Sequence, residues 1–204
     1  MFSEDLFEIK NSDLFIVDLM YAGFENMTLC PVYERIGFGN RAFVRKEMLK
    51  KLEKLTPFLR RQRLKLKICD AYRPPIAHEM LHDIVPIPGF FASSCQRSLH
   101  CRGAAIDCCL CYENGRELIY PTRIDAYEKQ YAEQLMSGNE ETFTLHLQKA
   151  RHDYQNPDMP NEIANRKQLK KLMESIGLES IPNEWWHYNL PNGADYPLIV
   201  WKKD

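Results

Sequence analysis

The hydrophobic positions of this chain follow two periodicities, one typical of strands and one typical of helices. Residues 64–69 alternate between apolar and polar side chains, which predicts a strand with one solvated face. Over residues 45–59 the apolar side chains recur at helical spacing above a lysine-rich face, which predicts an amphipathic helix. The same reasoning predicts strands at 14–19, 104–110, 117–120, 185–190 and 198–201, a short helix after Pro74, and helices within 126–153 and over 165–176.

This order of elements predicts an α+β fold with a mainly antiparallel central sheet flanked by helices. A chain of 204 residues can bury most of its surface in one core, so we expect a single domain over residues 1–204.

Charge and composition narrow the choice of partners and compartment. A net charge of −1 weighs against nucleic acid or an anionic membrane as main partner, because both need a basic surface. No apolar run approaches the roughly 20 residues of a membrane span, and residues 1–10 carry acids where a secretory signal carries bases. The seven cysteines are odd in number and do not resemble a disulfide framework. We therefore expect a cytoplasmic protein.

Two distant segments hold the residue types of a catalytic zinc site. Residues 98–107 contain His100 and Asp107, and residues 183–188 contain Glu184 and His187. Such a site needs three protein ligands, an open position for water, and a carboxylate that accepts the proton of that water. Glu184 and His187 are three positions apart and would point to opposite faces of a flat strand. For both to reach one metal, the segment must be bulged, sharply twisted or helical.

A second histidine pair offers an alternative metal site. His78-Glu-Met-Leu-His82 matches the zincin pattern, which places two imidazoles on one helical face. Residues 83–99 contain neither His nor Glu as a third ligand, and Pro88 occupies the position at which a metzincin carries His. We expect this match to be accidental.

Three motifs in order give the chain a family resemblance. Asp70-Ala-Tyr-Arg-Pro74, Ser98-x-His100-x-x-Gly103-x-Ala105-Ile106-Asp107 and Glu184-Trp-Trp-His187 resemble those of the zinc D-alanyl-D-alanine dipeptidases. The resemblance spans most of the chain, because segments at 21–22, 122–125 and 164–166 are also similar to family segments. It implies the fold of the DD-peptidase and Hedgehog-like zinc domains.

The resemblance also implies roles for individual residues. One Zn²⁺ per chain would be held by His100, Asp107 and His187, with Glu184 as general base and Arg73 facing the tetrahedral intermediate. A guanidinium suits that last role because its charge is fixed and its geometry is forked.

Residues matching Tyr21, Ser98 and Asp125 line the dipeptide pocket in the family. Asp125 would pair with the free ammonium of the substrate, which would limit cleavage to short peptides with a free N-terminus. The polar stretch 126–158 is longer than in the family, which indicates a helical insertion at the rim of the pocket.

The resulting hypothesis is zinc-dependent hydrolysis of D-Ala-D-Ala or a closely related D,D-dipeptide, in turnover of cell-wall precursors. One alternative is a zinc carboxypeptidase or endopeptidase acting on larger peptidoglycan peptides, against which Asp125 argues. Another is a non-catalytic zinc-containing module that binds such peptides. Glu184 argues against the latter, because a module that only binds peptides needs no base beside the metal.

Overall fold

The computed structural model describes residues 6–85, 87–88 and 90–201, which form seven strands, seven α-helices and short 3₁₀ turns. The strands are β1 (Leu6–Ile9), β2 (Phe15–Val17), β3 (Ala42–Arg45), β4 (Leu64–Asp70), β5 (Ala105–Tyr112), β6 (Glu179–Ile181) and β7 (Glu184–Asn189). The α-helices are α1 (Val32–Ile36), α2 (Lys46–Glu53), α3 (Thr56–Gln62), α4 (Pro75–Ile84), α5 (Lys129–Met136), α6 (Glu141–Leu147) and α7 (Pro160–Ser175).

The larger sheet has five strands in the order β2, β4, β5, β7, β6, and it is mixed. β2 pairs parallel with β4, whereas the other three pairings are antiparallel. A second sheet consists of the antiparallel strands β1 and β3. The expectation of a mainly antiparallel sheet therefore holds only in part. The parallel pair arises because residues 18–63 form a long crossover between β2 and β4, as parallel neighbours require.

The core lies against β4 and β5. In β4 the predicted alternation is confirmed, with Leu64, Leu66 and Ile68 buried and Lys65 and Lys67 partly exposed. β5 is buried over seven of its eight residues, which fits a strand covered on both faces. This burial accounts for Cys108, Cys109 and Cys111 of that strand as small packing side chains, and all three are free thiols.

Several predicted elements differ from the structure. The single helix expected over 45–59 is divided into α2 and α3, because Pro57 lacks a backbone N–H and is accommodated only in the first turn of a helix. The strand expected at 117–120 is reduced to one bridge between Cys111 and Glu117. Residues 198–201 form no strand, although Ile199 N–H donates to the Cys101 carbonyl.

Other segments match their expectations more closely. Residues 126–153 contain the helices α5 and α6, and α7 begins five residues before the predicted start at 165. That this region is an insertion, and that residues 1–204 form one domain, both stay predictions. Among the described residues, no helix is long and apolar enough to cross a bilayer.

The sheet brings the candidate site residues to one place. Asp70, the last residue of β4, pairs in register with Asp107 of β5, and Asp107 pairs in turn with His187 of β7. A 3₁₀ turn at His100–Arg102 precedes β5 and ends at Gly103, which adopts φ +66°. Three neighbouring strands and one turn thus meet around the same point.

Gly103 provides a test of this local geometry. Its left-handed backbone disfavours any side chain, and a Cβ built there would lie 2.5 Å from Leu6 Cδ2. We expect Gly103→Ala to lower the free energy of unfolding in urea by about 1–2 kcal/mol from the backbone alone, with a further loss from the contact.

Gly138→Ala is the matched control, because Gly138 has φ +86° and its added Cβ would meet nothing within 4 Å. It isolates the backbone contribution. Equal losses in the two variants would mean that Leu6 yields freely, and an unchanged Gly103→Ala variant would contradict the described turn.

Candidate active site and metal centre

His100, Asp107 and His187 converge on one point. Within the described part of the chain they form the one group of three or more potential ligand residues whose ligand atoms all lie within 4.8 Å of one another. His100 Nε2 lies 3.2 Å from His187 Nδ1 and 3.3 Å from Asp107 Oδ2, and His187 Nδ1 lies 2.9 Å from Asp107 Oδ1. All three residues are buried or nearly so.

The outer nitrogen of each ring has its own acceptor. His100 Nδ1 donates to the carbonyl of Ala71 at 2.7 Å, and His187 Nε2 donates to Asn189 Oδ1 at 2.8 Å. These bonds favour the tautomers in which the two inner nitrogens present lone pairs to each other and to the Asp107 carboxylate. Burial raises the pKa of Asp107, but His100 and His187 outweigh it and hold that pKa well below its ordinary value. Two imidazoles and a carboxylate facing inward in this way fit Zn²⁺ by chemistry and number.

β7 is bulged between Glu184 and His187. Ser180 of β6 pairs with Tyr188, and the next residue, Ile181, pairs with Glu184, so residues 185–187 have no partner on β6. The bulge brings Glu184 Oε2 to 3.8 Å from His187 Nδ1, although a flat strand would separate the two side chains. The distortion expected from their spacing is therefore present.

Glu184 lies beside the three converging residues. Its side chain is 18% exposed, and it lines the same cavity as His100 and His187. Burial raises the pKa of Glu184 to about 8, an effect that His187 opposes and Asp107 reinforces. A carboxyl group of this kind holds a proton more readily than an exposed glutamate does.

Arg73 is held by Asp70 in the floor of the site. Its Nε and Nη2 donate to Asp70 Oδ2 at 2.9 and 2.7 Å, and Tyr33 donates to Asp70 Oδ1 at 2.5 Å. Although burial opposes a charge here, Asp70 holds the pKa of Arg73 well above its usual value. The guanidinium also lies over the rings of Tyr21 and Phe91, so its direction is fixed on several sides.

Asp125 lies across the cavity in a strained turn. It has φ +55° within the 3₁₀ turn Ile124–Ala126, a conformation that is rare outside glycine. The Tyr21 hydroxyl donates a hydrogen bond to Asp125 Oδ2. Burial raises the pKa of Asp125 from 3.8 to about 7, and the charge of Asp107 adds to the shift.

A cavity of about 330 Å³ joins these groups, which is room for a small peptide. Tyr21 is fully buried and does not line it, so Tyr21 reaches the site through Asp125. The sequence-predicted residues that do line it are Arg73, Ser98, His100, Asp107, Asp125, Glu184 and His187.

The zincin-like pair lies outside this group. His78 is buried in α4 and its Nε2 bonds with the Ala92 carbonyl at 2.9 Å. Burial lowers the pKa of His78 to about 4, and Glu79 accepts a hydrogen bond from the Cys95 backbone N–H. His78 and Glu79 thus contact the loop that follows α4, and the accidental nature of the zincin match stays a prediction.

Sequence reasoning missed the residues that support the site. Asp70 begins the motif Asp70-Ala-Tyr-Arg-Pro74, and its spacing of three from Arg73 was a signal for an ion pair. Asn189 lies two positions after His187, which puts both on one face of β7. The aromatic wall formed by Phe90 and Phe91 had no local signal, because it depends on how the loop after α4 folds back.

Comparison with known proteins identifies the class to which this fold and site belong. The family model described as D-ala-D-ala dipeptidase matches residues 12–200, so the chain belongs to that family and the resemblance of its motifs is confirmed.

Two curated relatives agree. The chain is 30% identical over 184 residues to the D-alanyl-D-alanine dipeptidase of Escherichia coli K12, a match that covers 90% of this chain and 83% of the relative. It is 28% identical over 210 residues to the D-alanyl-D-alanine dipeptidase of Enterococcus faecium, covering 89% and 91% respectively.

The raised pKa of Asp125 generates a prediction about stability. Between pH 3.8 and about 7 the folded protein retains a proton on Asp125 that the unfolded chain has released. The free energy of unfolding should therefore fall as the pH rises through this range, by up to about 1.4 kcal/mol per pH unit from this group. Asp125→Asn removes the titration, so the variant should gain on the wild type as the pH rises.

Urea denaturation of both proteins in chelator at pH 5, 6, 7 and 8 measures the difference. The free energy of unfolding of the variant minus that of the wild type should increase up to about pH 7 and then level off. A gap that is constant over the whole range would contradict the burial of a carboxyl group with a raised pKa at this position.

Proposed function

We propose that this chain is a zinc peptidase that hydrolyses D-Ala-D-Ala or a closely related D,D-dipeptide. The observation that carries the proposal is the convergence of His100, Asp107 and His187 beside Glu184, in a dipeptide-sized cavity of a chain from this family. His100 would bind the metal through Nε2, His187 through Nδ1 and Asp107 through its carboxylate. Zinc, when bound, supplies a Lewis acid that activates a water molecule and polarises the scissile carbonyl.

Glu184 acts as the general base. It stands next to the ligand His187 without belonging to the converging group, so it can accept a proton from the attacking water. Its burial favours holding that proton until the carboxyl group returns it to the leaving amine. One carboxylate thus serves as base in the first step and as acid in the second.

Arg73 stabilises the negative charge that develops on the carbonyl oxygen. Arg73 donates its Nε and Nη2 hydrogen bonds to Asp70, and the guanidinium lines the cavity close to the proposed ligands. Because the side chain is already ordered by Asp70, Tyr21 and Phe91, little reorganisation is needed when the charge forms.

Asp125 selects the substrate by its ammonium group. A free N-terminal ammonium compensates the buried carboxylate, whereas an acylated amine leaves it unpaired. Tyr21 orients Asp125 through its hydroxyl, and Ser98 offers a further polar group on the cavity wall. This arrangement favours free dipeptides over longer or blocked peptides.

We assign the reaction to turnover of cell-wall precursors in the cytoplasm. The substrate is a small D,D-dipeptide, and the net charge of −1 weighs against nucleic acid as a partner. In this proposal residues 1–204 act as one domain with a helical insertion at 126–158.

The roles of base and ligand are separable by metal content. Glu184→Gln should keep about one zinc ion per chain and lose about 10²–10⁴-fold in kcat, because an amide neither accepts nor returns the proton. His187→Ala should lose the metal as well as the activity. Elemental analysis of gel-filtered protein and turnover of D-Ala-D-Ala measure both quantities.

His82→Ala is the control for removal of a histidine, since His82 lies on α4 outside the converging group. It should retain both zinc and turnover. Loss of zinc from Glu184→Gln would make Glu184 a ligand, and retention of zinc by His187→Ala would refute the proposed metal site.

The selection of free dipeptides is tested by acylation. The wild type should cleave N-acetyl-D-Ala-D-Ala at least about 100-fold less efficiently than D-Ala-D-Ala, measured as kcat/KM, because the acetylated substrate leaves Asp125 without a cation. Asp125→Asn should narrow that ratio mainly by losing activity on the free dipeptide.

Arg73→Lys provides the comparison. It should lower turnover of both substrates by a similar factor, because it weakens a contact to the transition state rather than to one end of the peptide. Equal rates of the wild type on free and acetylated substrates would instead favour a carboxypeptidase.

A further inference from the structure

The loop after α6 is tied to the turn that precedes Glu184. Arg151 Nη1 donates to Asn183 Oδ1 at 2.7 Å, and the His152 backbone N–H donates to the Pro182 carbonyl at 3.0 Å. Both acceptors lie within two positions of Glu184. The position of the turn therefore depends on a loop that is distant in sequence.

That loop is itself rigidly held. Arg151 Nε and Nη2 donate to the two carboxylate oxygens of Asp153, each at 2.9 Å, which is a bidentate pairing of defined geometry. Arg166, which is fully buried on α7, donates to the carbonyls of Arg151 and Tyr154 at 2.8 and 2.7 Å. Arg166 thus holds the backbone of Arg151, and Asp153 holds its guanidinium.

The residue on the other side of Glu184 is anchored as well. Trp185 Nε1 donates to Thr122 Oγ1 at 2.9 Å, and its ring stacks on Tyr120 with centroids 4.0 Å apart and planes 8° apart. Glu184 therefore stands between two anchored neighbours. Of the two anchors, the Arg151 contact can be removed without opening the core, because the Arg151 side chain is 38% exposed whereas Trp185 is buried.

We propose that Arg151 is a positioning residue for Glu184, acting through Asn183. The inference rests on the proposed function, in which Glu184 is the general base. The bulge of β7 explains why such a residue is needed: Glu184 pairs with Ile181 of β6, but residues 185–187 have no partner on that strand, so the ladder is interrupted directly after Glu184 and a further contact is needed to fix its direction. A displacement of about 1 Å in a reacting group can reduce turnover about 100-fold.

This assignment gives the helical segment a role in catalysis. The segment begins directly after Asp125, in the turn Ile124–Ala126, and it ends in the loop that carries Arg151. It therefore connects the carboxylate that receives the substrate ammonium with the carboxylate that receives the proton.

Removal of either side of the contact tests the proposal. Arg151→Ala and Asn183→Ala should each lower kcat on D-Ala-D-Ala about 10-fold or more, with KM within about twofold and zinc content unchanged. The double variant should be no slower than the worse single variant, because both changes remove one contact. Arg60→Gln is the control. Arg60 lies on α3 and forms an exposed ion pair with Asp13 at 2.9 Å, so its loss should leave kcat unchanged.

Two further measurements distinguish positioning from a general loss of stability. In a Glu184→Gln background, Arg151→Ala should have no further effect on the residual turnover, since the group that it positions is already gone. By hydrogen–deuterium exchange, Arg151→Ala should accelerate exchange around residues 182–186 and leave α2 unchanged.

A full additional 10-fold loss in the Glu184→Gln background, or unchanged exchange around residue 184, would overturn the positioning role. If Arg151→Ala keeps wild-type turnover while Glu184→Gln loses it, the positioning role is also overturned, and the proposed function stands. Wild-type turnover by Glu184→Gln would refute the proposed function itself.

Discussion

The site is built around three lone pairs that point at one another in a buried space. His100, Asp107 and His187 each have their outer atoms occupied or their charge fixed, so their inner atoms face inward as acceptors within about 3 Å of one another. Acceptors at this distance repel each other unless a proton or a cation lies between them. The pairing of β4, β5 and β7 imposes this arrangement, and the proposed metal ion would resolve it.

A second buried network orients the groups around that centre. Asp70 pairs with Arg73 and accepts from Tyr33, and its Oδ2 lies 3.6 Å from His100 Nδ1, the atom that bonds with the Ala71 carbonyl. One strand end therefore sets both the tautomer of a proposed ligand and the direction of the proposed oxyanion partner. Breaking one partner of such a buried ion pair leaves an uncompensated charge, which makes the network intolerant of change.

Sequence reasoning grouped the residues that converge in the structure better than it described the sheet. His100, Asp107, Glu184 and His187 could be selected because few residue types serve a catalytic zinc site, and the spacing of Glu184 and His187 required the bulge that the structure contains. The parallel pairing of β2 with β4 could not be predicted, because it depends on contacts between segments that are distant along the chain. The division of 45–59 into two helices did have a local signal in Pro57.

The supporting residues were the least accessible to sequence reasoning. Asn189 and Arg151 are ordinary polar residues in the sequence, and they gain their significance only when folding places them beside His187 and Asn183. Their contacts join loops and strands that no periodicity relates. In the proposed site, the geometry of the reacting groups thus depends on residues that carry no motif of their own.

X-ray absorption at the zinc edge tests the central claim most directly. For the zinc-loaded protein the account predicts a first coordination shell of nitrogen and oxygen only, at about 2.0–2.2 Å, with the multiple scattering of two imidazoles. His100→Ala, which removes one proposed ligand, should lose this zinc signal together with the metal. A sulfur shell at about 2.3 Å, which would place the zinc on cysteine thiolates, would contradict it.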